Sequence, residues 1–218
     1  MLKTIIDDGY SSYLVNGATF VGKYQIPLLS KHDIILIPKD MVPFDKRNIV
    51  KDKEIAINFY MHDVTFKQVL TSTKKYVEEL SKFSAIISPD CSLYRDMPLC
   101  LQITNTYMNR AVGYYLQKKG LYVIPNVRWG DERSFEFCFD GIPTDDIVSI
   151  STHGCIRGYE NRYYFKLGLE EMLKTLKPRV VLVYGTMPDN IFSPFLSRTK
   201  FIHYESYISK IKGGKHNG

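Results

Sequence analysis

Short aliphatic runs alternate along this chain with longer stretches whose apolar side chains recur every three or four positions. Ile34–Ile37, Glu54–Tyr60 (EIAINFY), Ala85–Ile87, Leu121–Val127 (LYVIPNV), Ile147–Thr152 (IVSIST), Val180–Tyr184 (VVLVY) and Phe201–Tyr204 read as strands. Between them, Thr65–Lys82 places Phe66, Val69, Leu70, Tyr76, Val77 and Leu80 at helical spacing. Met97–Lys119 is a longer helix stopped by Gly120, and Asn161–Leu176 is a helix ended by Lys177-Pro178. Pro38–Lys53 is charged, holds two prolines and reads as a loop, while Asp131–Asp140 reads as a short helix.

Buried-looking strands separated by amphipathic helices predict an α/β fold with a parallel sheet covered by helices. The strand–helix repeats fit a (β/α) barrel, closed or incomplete, with an open doubly wound sheet as the alternative. The barrel is preferred because no glycine-rich phosphate loop follows the first strands. No linker interrupts the rhythm, so residues 1–218 are expected to form one α/β domain. Residues 1–33 would be an arm or covering segment and 211–218 a flexible tail.

Composition adds little to that picture until charge is considered. The chain carries 29 Lys and Arg against 23 Asp and Glu, a net charge of +6. That excess admits an anionic partner. The four cysteines, Cys91, Cys100, Cys138 and Cys155, form no C-x-x-C pair and no zinc spacing, which suits reduced thiols in a cytoplasmic protein. No apolar run approaches the ~20 residues of a membrane span, and the first residues carry no apolar signal segment. A cytoplasmic protein without a membrane partner is expected.

In either parallel architecture ligands gather at the carboxyl ends of the strands. That rule selects His62 and Asp63 after the second run, Ser88, Pro89 and Asp90 after the third, Arg128, Trp129, Asp131, Glu132 and Arg133 after the fourth, and His153 after the fifth. Asp63 and Asp90 equally suit helix caps or turns. In the long helix, Gln102, Asn105 and Asn109 share one face with Arg110 beside them. An amide stripe of that kind lines a polar cleft or fastens the helix to the sheet. Trp129 with Arg128 and Arg133 offers a stacking surface for a base or sugar, and Asp131 and Glu132 offer carboxylates for acid–base chemistry. Phe135, Phe137 and Phe139 would pack their loop onto the sheet.

The strings SPD-x-SLY-x-DMPL, Q-x-x-NTY-x-NR, VIP-x-V-x-W-x-DERSF and FCFDGIP resemble a family of bacterial and phage proteins known as domain of unknown function 4417. The resemblance spans about Ile34 to Gly185 and implies a phage or mobile-element setting. It implies no activity and carries over no catalytic residue. Cys91 and Thr104 stand where aromatic residues are frequent in the family, which puts a stacking role at those two points in doubt.

Two functions fit these residues. The first is an enzyme, a hydrolase or glycosyl transferase, acting on a nucleotide-, nucleoside- or sugar-type anion. Asp63, Asp90, Asp131 and Glu132 would be its acids and bases, and Gln102, Asn105, Asn109, Arg110, Arg128, Trp129, Arg133 and His153 its binding groups. The second is a non-catalytic binder of a small nucleotide ligand or of nucleic acid. The lysines are scattered rather than striped, which ranks extended nucleic acid below a small anion. No metal motif occurs, and the sequence assigns no cofactor.

Overall fold

The computed structural model describes residues 11–214. A small antiparallel hairpin, β1 (Phe20–Val21) and β2 (Ile26–Pro27), precedes the main sheet. Four parallel strands follow in chain order: β3 (Met41–Pro43), β4 (Ala56–Asn58), β5 (Ala85–Ile87) and β6 (Val123–Ile124). Three more run parallel to one another: β7 (Ile147–Ser151), β8 (Val180–Tyr184) and β9 (Lys200–Tyr204). The two groups meet just past β6. There Asn126 pairs in parallel with Ser149, Val127 N–H donates to the Ser149 carbonyl, and Ser149 N–H donates to the Pro125 carbonyl. Helices α1 (Asp63–Thr71), α2 (Val77–Leu80), α3 (Leu99–Lys118), α4 (Gly158–Leu176) and α5 (Asp189–Phe192) lie between strands, and α6 (Tyr207–Gly214) follows the last.

The sheet is curled. Four strand spacings separate β4 from β8, ~19 Å in a flat sheet, yet the Tyr60 and Tyr184 rings stack at 5.2 Å. Alternate residues of β3 to β9, among them Met41, Ala56, Ile87, Ile124, Ile147, Leu182 and Tyr204, meet in one internal core. The other faces pack outward in two further cores, one against α1 and α3 and one against α4 and α5. Among the described residues β9 and β3 exchange no ladder bonds, so the barrel is incomplete. Side chains span the gap: Tyr204 donates to the Pro38 carbonyl at 2.7 Å, and Lys210 of α6 pairs with Asp40.

The expected strand at Ile34–Ile37 does not form. Its backbone bonds instead to one side chain, with Leu36 N–H donating to the Tyr122 hydroxyl and that hydroxyl donating to the Ile34 carbonyl. The first main strand lies at Met41–Pro43, inside the expected loop. Pro43 is tolerated there because β3 is the edge of its sheet, where a missing N–H costs no ladder bond. The expected helix at Thr65–Lys82 is broken into α1, a short 3-10 turn at Thr73–Tyr76 and α2. The break falls at Thr73, which is buried and turns its hydroxyl back to the Val69 carbonyl at 2.7 Å. The Asp131–Asp140 segment holds a 3-10 turn at Glu132–Glu136 rather than an α-helix. Helices α5 and α6 have no counterpart in the sequence reading. Residues 211–214 of the expected tail belong to α6, and 1–10 and 215–218 lie outside the described residues.

Candidate functional site

The interior of the curled sheet changes character along its axis. Ala56, Ala85, Ile147 and Val180 fill the end where the strands begin. Two residues further along β4 and β7 stand Asn58 and Ser149, both fully buried, and beyond them Tyr60 and Ser151. The Tyr60 hydroxyl meets Ser149 Oγ at 2.6 Å, and burial raises the Tyr60 pKa well above its ordinary value. A core that turns polar only toward the carboxyl ends of its strands marks that end for ligand contact.

Asp90, just past β5, and Arg128, just past β6, occupy this end because neighbouring parallel strands deliver their exits to one side. Asp90 is 8% exposed and accepts a 2.8 Å bond from Asn126 Nδ2. The Arg128 guanidinium stands 3.7 Å from its other oxygen and 2.8 Å from Cys155 Sγ. Burial raises the Asp90 pKa, and the Arg128 charge and the Asn126 bond oppose that rise without cancelling it. Burial likewise works against the Arg128 charge, but Cys155 and Asp90 outweigh it and keep the guanidinium protonated. The Cys155 thiol is raised by burial, which leaves it a poor nucleophile at neutral pH. Arg128 Nε, Asn126 Oδ1 and Asn58 Nδ2 are buried and have no protein hydrogen-bond partner among the described residues.

Arg128 forms a wall of a cavity of about 200 Å³. Leu93, Val127, Ile150 and Phe165 give it an apolar floor, and Arg95, Ser151, Asn161 and Tyr164 add polar groups. Trp129 also lines it, but the indole is largely buried. Its Nε1 donates to the Tyr164 carbonyl at 3.2 Å, and its ring lies on the backbone of α4. Gly168 permits that approach: a Cβ there would fall 2.2 Å from Trp129 Nε1.

The remaining sequence-selected residues are held by other parts of the chain. Asp63 begins α1 and accepts both the Ser92 N–H and the Ser92 hydroxyl, tying the β4 exit to the β5 exit. Gln102, Asn105 and Asn109 donate to the carbonyls of Met97, Ser92 and Pro89, fastening α3 to the loop after β5. Arg110, 1% exposed, donates to the carbonyls of Asp140, Cys138 and Asn126 and to Asn109 Oδ1. With no carboxylate paired to it, burial lowers its pKa to about 10. Asp131 is clamped by Arg133, whose bonds hold its carboxyl below the ordinary range against the effect of burial. Glu132 is exposed. His153 stands exposed at the β7 exit, its pKa lowered by partial burial and by Arg157.

Arg128 and Trp129 thus share the cavity wall, Asp90 lies behind Arg128, and the α3 amides belong to a hydrogen-bonded interface. The strand-exit rule did not select Arg95, Asn161 or Tyr164. Arg95 is the eighth residue past the end of β5, and the other two sit on α4, which follows the β7 exit. Among the described residues no three His, Cys, Asp or Glu are grouped to hold a metal. No described helix is long and apolar enough to cross a membrane.

The chain is similar to "Gene 1 protein" of Mycobacterium phage D29, with 36% identity over 132 residues, covering 61% of this chain and 49% of that protein. It is similar at 33% identity over 132 residues to "Gene 1 protein" of Mycobacterium phage L5, covering 61% of this chain and 58% of that protein. The chain therefore spans about half the length of the curated relatives it matches. No solved structure matches it. The family model described as "Domain of unknown function (DUF4417)" matches residues 18–205, and the chain belongs to that family.

Proposed function

We propose that the cavity at the carboxyl end of the sheet binds a small organic anion of the nucleotide, nucleoside-phosphate or sugar-phosphate class. One observation carries the reading: Arg128, a half-buried arginine, lines the cavity, and its Nε has no hydrogen-bond partner among the described residues. Arginine in that state presents donors matched to phosphate or carboxylate oxygens. The apolar floor beside it accommodates a ring, and about 200 Å³ suits one ring system better than a dinucleotide. A cytoplasmic setting accords with the four free cysteines.

Catalysis on that ligand, by hydrolysis or glycosyl transfer, is the second reading. It is favoured by Asp90, a buried carboxyl with a raised pKa beside the anion-binding group, the usual condition of a general acid. Glu132 is exposed and Asp131 is clamped by Arg133, so the acid role falls to Asp90.

Trp129 is the only tryptophan in the chain and lines the cavity, so its fluorescence reports binding directly. Nucleoside monophosphates, sugar phosphates and inorganic phosphate should be titrated against the wild type and Arg128→Gln. A saturable change in the wild type that Arg128→Gln loses supports the reading. No change with any of these ligands, or an equal change in the variant, contradicts it.

A further inference from the structure

We propose that the cavity opens onto a docking track for single-stranded nucleic acid, carried on the solvent face of the first turns of α4. The proposal rests on the anionic-ligand reading and specifies its substrate as a nucleotide within a strand. Tyr159, Arg162, Tyr163 and Lys166 fall at i, i+3, i+4 and i+7, one stripe of a helix, and all four are exposed. Tyr159 is 89% and Tyr163 52% exposed. An ordinary solvent face carries Lys and Glu, as α4 itself does further along at Lys174 and Glu171. Exposed tyrosines alternating with cations are instead the elements of a surface on which bases stack while phosphates are neutralised.

The track is continuous with the cavity. Asn161 and Tyr164, on the next face of the same helix, line the cavity, and the Tyr163 and Tyr164 rings meet edge-on at 5.2 Å. Across the mouth stands Tyr94, 51% exposed and itself a lining residue. Arg95 joins the two sides, bonding to Glu160 at 2.7 Å and to Asn161 Oδ1 at 2.9 Å. Of the four exposed aromatic side chains among the described residues, only Phe20 lies away from this mouth. Between His153 and Lys166 the segment carries Arg157, Arg162 and Lys166 against Glu160 alone. Tyrosines stack only on bases whose faces are free, which selects a single strand over a duplex.

Fluorescence anisotropy tests this with fluorescein-labelled oligo-dT and oligo-rU of twelve nucleotides and a duplex of equal length. The wild type should bind one or both single strands more tightly than the duplex, with affinity falling as salt rises. The Tyr159→Ala/Tyr163→Ala variant should lose about 10-fold or more in affinity. Arg162→Gln/Lys166→Gln should lower the logarithmic salt slope by about 1.4, the share of two phosphate contacts. All four side chains are solvent-exposed, so these variants should fold normally, with circular dichroism as the check. Their quenching of Trp129 by mononucleotides should match the wild type, which separates the track from the cavity. Strand binding that the tyrosine variant retains, tighter binding to the duplex, or no binding to either strand at 50 µM protein in low salt overturns the proposal.

Discussion

Asp90→Asn is the perturbation whose sign the site geometry determines. The carboxylate lies 3.7 Å from Arg128, an attraction of about 4–5 kcal/mol at an effective dielectric constant near 20. An anion accepting from the same guanidinium would sit roughly 6 Å from Asp90, a repulsion of about 0.7–2.8 kcal/mol across the range from water to protein dielectric. Removing the charge should therefore tighten anion binding roughly 3- to 100-fold. Asparagine still accepts from Asn126 Nδ2, so the loop keeps its geometry. In the wild type, affinity should rise as pH falls toward the raised Asp90 pKa, because protonation removes the same repulsion. The affinity advantage of the variant over the wild type should shrink as pH falls, the phosphate's own titration being common to both. Stability follows the same linkage. A carboxyl whose folded pKa is raised costs the folded state stability as pH climbs past its unfolded value near 3.8, so the variant should melt at or above the wild type at pH 7. Below pH 3.8 the two should converge. Isothermal calorimetry with inorganic phosphate from pH 5 to 8, with melting curves alongside, makes the measurement. Weaker binding in Asp90→Asn, with an unchanged fold, would refute the electrostatic argument and identify the carboxylate as a direct ligand contact.

Gly168→Ala should destabilise the fold by about 1–3 kcal/mol, because its Cβ would collide with the Trp129 indole. The displaced indole should also shift the fluorescence maximum. Arg110→Met should cost about 2–4 kcal/mol by urea unfolding, since it orphans the Asp140 and Cys138 carbonyls and takes one of two donors from the Asn126 carbonyl and from Asn109 Oδ1. An effect below 1 kcal/mol would show that Arg110 is not the fastener between α3 and the Cys138–Asp140 segment. Asp146 is held below its ordinary pKa, against the effect of burial, by the side chain and N–H of His32. Its stabilising contribution should be present above pH 3.8 and fade as pH falls through the lower folded value. Asp146→Asn should therefore narrow the stability difference between pH 6 and pH 3, read by melting temperature.

The two long helices, α3 and α4, and most strands were legible because their periods differ. Ala85–Ile87 and Val180–Tyr184 fall where the aliphatic runs place them, and α3 is within two residues at its start and one at its end. Their parallel pairing followed from the helices between them. The first main strand was not legible. Met41–Pro43 sits among charges and prolines, and it forms because the Asp40 carbonyl and the β4 backbone pair there. The run at Ile34–Ile37 looked more strand-like, yet it is fixed by a single tyrosine hydroxyl 86–88 positions away, which no local pattern reveals. Of the residues that strand exits selected, Arg128 and Trp129 line the cavity and Asp90 stands beside Arg128. The α3 amides carried a signal for buried polar contact that fits a cleft and an interface equally, and in the fold each donates to a backbone carbonyl. Arg95 and Asn161 become neighbours only through a contact between a loop and a helix 66 residues apart.

On the proposed reading Arg128, rather than the more deeply buried Arg110, is the anion receptor. Arginine side-chain Nε–Hε resonances in ¹H–¹⁵N spectra distinguish the two, with Arg128→Gln and Arg110→Lys supplying the assignments. In the free protein Arg110 Nε already donates to the Asp140 carbonyl, whereas Arg128 Nε has no partner among the described residues. Titration with a nucleoside monophosphate should shift the Arg128 Nε–Hε signal saturably, move the Trp129 indole signal with it, and leave Arg110 unchanged. A ligand that binds without moving Arg128, or that moves Arg110 instead, would contradict the account.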